Sequence, residues 1–138
     1  MEDTDEEANR LAYLQAAYMQ QYELISNEIE TYTIAQESLL RNLELIERIG
    51  SVENSKILSG NGGIMFNATT GKLDSVLVYV GAGYVVEKSL DEAKSFLQKL
   101  SRANEENINR LSAEKNRLEK MLIEVSHSAD ALQNRRQQ

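Results

Sequence analysis

Two stretches of the chain keep a seven-residue beat of apolar positions, and the stretch between them does not. From about residue 4 to residue 49, Leu11, Tyr18, Ile25, Tyr32, Leu39 and Ile46 share one heptad position. Tyr22, Ile29 and Leu43 share a second, with Gln15 and Gln36 as its polar members. A stripe this narrow, sustained over about five heptads, predicts a coiled-coil seam rather than a globular helix face. Thr4 followed by Glu7 is a capping-box pattern at the start, and Gly50 stands where a C-terminal cap is expected. In the later stretch Leu90, Leu97, Leu111, Leu118, Val125 and Leu132 share one position, with Asn104 as its polar occupant. Ser89 with Glu92 repeats the capping box, and the helix is expected to reach about Ala131, with the residues beyond it frayed.

Residues 50–88 change character. Turn signals at SVENSK, GNGG and TTGK separate β-branched runs, predicting strands near 57–59, 63–68, 73–80 and 84–88. ILSGNGGIMF has apolar residues on either side of Gly60-Asn61-Gly62, and VYVGAGYVV repeats the arrangement around Gly81-Ala82-Gly83, 21 positions later. Two β-hairpins follow. The expected fold class is α+β, mainly α, organised as 1–49, 50–88 and 89–138 within one structural domain.

Neither helix can stand alone with its seam in water, so the economical arrangement is an antiparallel pair. Charge agrees. Residues 1–49 hold eleven acids and three bases, net −8, whereas residues 89–138 hold eight acids and nine bases, net +1. Pairing brings the acids of residues 2–7 near Arg135 and Arg136. Asn104, expected opposite the region of Tyr32, reads as a register-setting residue. About forty residues of strand are too few to bury a self-sufficient core, and two hairpins leave open edges. The apolar strand residues are therefore expected to close a sheet or barrel with hairpins of other subunits. Ile64, Phe66, Val76, Val78, Val80, Gly81, Gly83 and Val85 are the candidates for that assembly surface.

Composition narrows the function classes. With 15 basic and 22 acidic residues the net charge is −7, which argues against a nucleic-acid partner. No cysteine is present, so neither disulfides nor thiolate chemistry enter. No apolar run approaches the ~20 residues of a membrane span, and MEDTDEEANR is acidic where a secretory signal would be basic, so a cytoplasmic location is expected.

The tempting motifs have plainer readings. Gly-Ala-Gly after a strand lacks the third glycine and the following helix of a dinucleotide fingerprint. His127 is a lone histidine and makes no metal site, and Glu6-Glu7 and Glu105-Glu106 read as solvated helix charges. Asn67-Ala68-Thr69 matches a glycosylation sequon by chance. No cofactor and no enzyme activity are expected. The ends of the helices opposite the hairpins carry more apolar residues than one seam needs. Leu11, Tyr13, Leu14, Ile123, Val125 and Leu132 are candidates for contact with apolar segments of other proteins.

The run VGAGYVVEKSLDEAKSFL, with the Gly60-Asn61-Gly62 turn and the helix–hairpins–helix order, resembles the α-class prefoldin subunits of archaea. ILSGNGG departs from that family in lacking a proline before the first turn. The resemblance implies a heterohexamer of two α-class and four β-class subunits, with a double β-barrel platform and six coiled-coil arms. It further implies an ATP-independent chaperone that holds unfolded proteins between arm tips and passes them to a group II chaperonin. A structural coiled-coil adaptor, or a homo-oligomeric or filament-forming prefoldin relative, is the alternative.

Overall fold

The structure is a computed structural model that describes residues 2–50, 56–59, 63–64, 66–69 and 71–138, with side chains described outside 2, 50, 56–59 and 66–67. Helix α1 spans Glu2–Gly50, strands β1 and β2 span Lys56–Ser59 and Phe66–Thr69, β3 and β4 span Ser75–Gly81 and Tyr84–Ser89, and α2 spans Leu90–Gln137. The chain forms two compact units, Met1–Ile34 with Glu105–Gln138, and Ala35–Asn104. The first, the distal unit, is helical throughout. The second, the hairpin unit, joins the remaining helix segments to all four strands.

In the distal unit the two helices run antiparallel. Arg136 Nη2 donates to the Thr4 carbonyl at 3.0 Å and pairs with Asp5, and seventeen residues further along α1, Tyr22 donates to Glu119 Oε1 at 3.0 Å. Leu11, Val125 and Leu132 form the buried centre, with Ala8, Leu14, Tyr18 and Ala129 packed on it. Leu111 and Leu118 continue the buried row, Leu118 being only 1 % exposed. The seven-residue spacing places these side chains on one stripe of α2, so a single partner helix covers them.

In the hairpin unit the pairing is again antiparallel: Gln36 Nε2 donates to Ser101 Oγ at 2.7 Å, and Lys94 Nζ meets Glu47 Oε1 at 2.9 Å. Ala93 and Leu97 are buried. The Ser89–Glu92 capping box forms as the sequence predicts, the Glu92 amide donating to Ser89 Oγ and the Ser89 amide to the Glu92 carboxylate, each at 3.2 Å. Asp91 and Glu92 in the first turn and Arg135 and Arg136 in the last both complement the helix dipole.

Several boundaries differ from expectation, including β3, which begins at Ser75 rather than at 73. Helix α1 begins at Glu2, so Thr4 is already inside it; acidic Asp3 and Asp5 suit a first turn without a Thr cap. Helix α2 does not fray after Ala131 but continues to Gln137, because Leu132 is buried and Arg136 binds the first turn of α1. The second strand begins at Phe66, not at 63, since Gly63 has φ +83°, outside the strand region. Ile64 therefore precedes the strand. Gly60, Asn61 and Gly62 lie outside the described residues.

Candidate functional site: the hairpin face and the helix tips

Strands β3 and β4 pair antiparallel, with Val76 opposite Lys88, Leu77 opposite Glu87, Val78 opposite Val86, and Tyr79 opposite Val85. Residues directly opposite share a face. Val76, Val78, Val86 and Lys88 thus form one face, and Leu77, Tyr79, Val85 and Glu87 the other. Val76 and Val78 are half-buried and line a groove of about 360 Å³ with Leu39, Ile46, Phe96 and Leu97, a groove that Leu77 and Tyr79 also border. Lys88 Nζ lies 5.6 Å from the centre of the Phe96 ring, a cation–π contact on the same side.

Among the described residues, the opposite face is the more open one. Leu77 is 75 % exposed and Tyr79 64 %, and Tyr84, Val80 and Val85 are exposed beside them. Ser75 Oγ donates to Glu87 Oε1 at 2.6 Å at the polar end of this face. Among the described residues each sheet has only two strands, β1 with β2 and β3 with β4. An isolated two-stranded hairpin is marginal in water. An apolar face with free strand edges is therefore the part of this chain most in need of a partner.

The turn explains the glycines. Val80 sits at an irregularity between the Tyr79 and Gly81 pairs, and φ is +109° at Gly81, +51° at Ala82 and +81° at Gly83. Positive φ at both loop residues is the signature of the tight hairpin turn whose twist matches the strands. The Gly83 amide donates to the Tyr79 hydroxyl at 3.2 Å, which bends Tyr79 back over the turn.

Of the expected assembly residues, Val80 and Val85 are exposed, as is Ile64, while Val76 and Val78 face the groove. Gly81 and Gly83 shape the turn. Phe66 lies on β2 opposite Ser59, and its side chain is outside the described part. Leu77, Tyr79, Tyr84 and Val86 are exposed and were not singled out from sequence. The run VLVYV is apolar at every position, so alternation alone cannot say which set faces the helices.

The expected tip residues divide in two. Leu11, Val125 and Leu132 are buried in the seam and Leu14 is half-buried against them. Tyr13, 75 % exposed, and Ile123, 55 % exposed, point away from the seam, and Met19 is exposed on the same stretch of α1. Met19 carries no heptad signal, so periodicity could not find it. Among the described residues, one ionisable group is clearly shifted: Lys94 is held above its ordinary 10.5, first by its hydrogen bond to Glu47 and then by the charge of that carboxylate. No helix among the described residues is long and apolar enough to cross a membrane.

Two long helices joined through antiparallel hairpins, with an exposed apolar strand face, define a mainly α coiled-coil fold. The prefoldin subunit family model matches residues 18–135, and the chain belongs to that family of chaperone subunits. It is similar to the prefoldin α subunit of Pyrococcus horikoshii, 28 % identical over 98 % of this chain and 93 % of that protein. It is also similar to the prefoldin α subunit of Methanocorpusculum labreanum, 26 % identical over 97 % of this chain and 88 % of the relative. The prefoldin α subunit of Thermococcus onnurineus is 30 % identical over 70 % of this chain and 68 % of its own length. Among solved structures, the fold matches a filamentous PFD from Methanocaldococcus jannaschii with a TM-score of 0.56 and 21 % identity, covering 90 % of this chain and 98 % of the other. The resemblance to archaeal α-class subunits read from the hairpin–helix junction is borne out by these relatives.

Proposed function

We propose that this chain is the α-class subunit of a cytoplasmic, ATP-independent chaperone that holds unfolded proteins at its helix tips and hands them to a group II chaperonin. The carrying observation is the contrast in cover: Leu11, Leu97, Leu111, Leu118, Val125 and Leu132 of the helix seam are enclosed, whereas Leu77, Tyr79 and Val85 on the hairpin are not. In this reading residues 50–88 are the oligomerisation region between two coiled-coil helices. Their hairpins close a β-barrel platform with β-class subunits in a complex of two α-class and four β-class chains. Ile64, Phe66, Val80, Gly81, Gly83 and Val85 serve that platform together with Leu77 and Tyr79, and Val76 and Val78 seat the hairpin on its own helices.

At the other end, Tyr13 and Ile123 touch clients directly, and Leu11, Leu14, Val125 and Leu132 give the tip its apolar body. Each contact is weak, since a buried methylene contributes only about 0.8 kcal/mol. Several arms acting together make the sum useful while each contact stays reversible. No catalytic step is needed.

The test is aggregation suppression by the assembled complex carrying Tyr13→Ser with Ile123→Ser. Protection of an unfolding client should fall while the assembly mass by native mass spectrometry stays unchanged. Undiminished protection overturns the tip assignment, and a purely structural adaptor would give no protection even in the wild type.

A further inference from the structure

On α2 the buried row Leu97, Leu111, Leu118, Val125, Leu132 misses one beat, at Asn104, which is only half-buried. The hairpin unit is polar at that level from both helices. Gln36 Nε2 donates to Ser101 Oγ at 2.7 Å in a partly buried position, and the buried Gln36 Oε1 has no hydrogen-bond partner among the described residues. A buried acceptor without a donor forfeits its hydration for nothing, and it recovers that hydration as soon as water enters. A seam leucine pulls the other way, since opening exposes it.

Local backbone preference adds to this. Ser101, Asn104, Asn107 and Asn109 succeed one another on α2, and these side chains compete for backbone groups and favour helix ends over helix interiors. On α1 the approach to Gln36 is Thr31-Tyr32-Thr33-Ile34, four residues of modest helix propensity. Thr31 Oγ1 and Thr33 Oγ1 donate back to the carbonyls of Asn27 and Ile29, at 3.0 and 2.8 Å, a contact that loosens or bends a helix.

We propose that the helix pair of the hairpin unit opens locally at the Gln36–Ser101–Asn104 layer, admitting water there while the leucine-lined levels of α2 stay closed. This goes beyond a register-setting role for Asn104. It makes the layer a built-in point of compliance in the arm, and it does not depend on what the tips bind.

Hydrogen exchange on the full chain, in whatever assembly it forms, tests the proposal. Protection factors of the amides in 98–104 should be about tenfold lower than those in 115–122, the scale expected for local opening at an unsatisfied polar site. Equal or higher protection at 98–104 overturns the proposal, and this comparison needs no variant. Gln36→Leu with Ser101→Ala removes the orphan acceptor and its partner and should raise protection at 98–104 toward that at 115–122. Asn104→Leu should act in the same direction. Unchanged protection at 98–104 in both variants would also overturn the assignment of opening to this layer.

Discussion

The distal unit and the hairpin unit solve the same problem differently. Both contain antiparallel helix segments, but the distal unit encloses Leu11, Leu111, Leu118, Val125 and Leu132 with residues of the same chain. The hairpin unit encloses Ala93 and Leu97, and leaves Leu77, Tyr79, Tyr84 and Val85 in water. A two-helix seam is narrow, and one partner helix covers it. A two-stranded sheet has two faces and two edges, and its own helices can reach only one face. Among the described residues, exposed apolar side chains are scattered along both helices but stand next to one another on β3 and β4, where Leu77, Tyr79, Val80, Tyr84 and Val85 are all exposed.

The sharpest attempt to break this contrast is Leu77→Ser with Tyr79→Ser. Each side chain buried at a subunit interface is worth about 1.5–3 kcal/mol, so the double variant should lose assembly by native mass spectrometry while its helix content by circular dichroism is kept. Persisting assembly would move the interface elsewhere. Next in size, Leu118→Ala removes the most enclosed side chain of the distal unit. It should cost about 2–5 kcal/mol in denaturant unfolding, with assembly mass unaltered in native buffer.

A smaller effect concerns the turn. Ala82 holds φ +51°, which a non-glycine residue adopts at a cost of about 1–2 kcal/mol. Ala82→Asn places a residue that tolerates this region, and the Asn-Gly pair suits the turn. The hairpin should gain about 0.5–1 kcal/mol, read as a rise in the unfolding midpoint. The smallest effect is at Lys94, whose affinity for its proton is raised by Glu47. A raised value means the pair contributes fully below pH 10.5 and loses its contribution as pH climbs through the raised value. The stability difference between wild type and Lys94→Met should be flat through neutral pH and shrink only in strong alkali.

Much of this was legible in the residues. The heptads at Leu11, Leu111, Leu118, Val125 and Leu132 pointed to the side chains that are in fact enclosed, because a helix places every seventh residue near one line. The Ser89–Glu92 box was readable because its hydrogen bonds span three residues. The antiparallel arrangement followed from two seams that cannot stay in water, charge agreed with it, and Arg136 at Thr4 and Asp5 bears it out. The start of β2 was misread because a glycine amid apolar residues looks extended until its φ is known, as at Gly63.

Within the candidate sites, sequence reasoning found the apolar neighbourhoods but not their orientation. Tyr13 and Val125 both looked like tip residues, yet one faces water and the other the partner helix. On β3, Val76 and Leu77 are neighbours of similar character that both border the groove by Phe96 and Leu97, yet Val76 is half-buried and Leu77 is 75 % exposed.

Periodicity, caps and turn glycines depend on residues within a few positions of one another, so the chain alone settled where helices and hairpins form and that their apolar stripe demands company. Which face of a strand is covered, which tip residue stays wet and where the Gln36 amide finds an acceptor depend on groups tens of residues distant. Those choices were made by packing, because burial is shared between elements and no single element's pattern contains its partner.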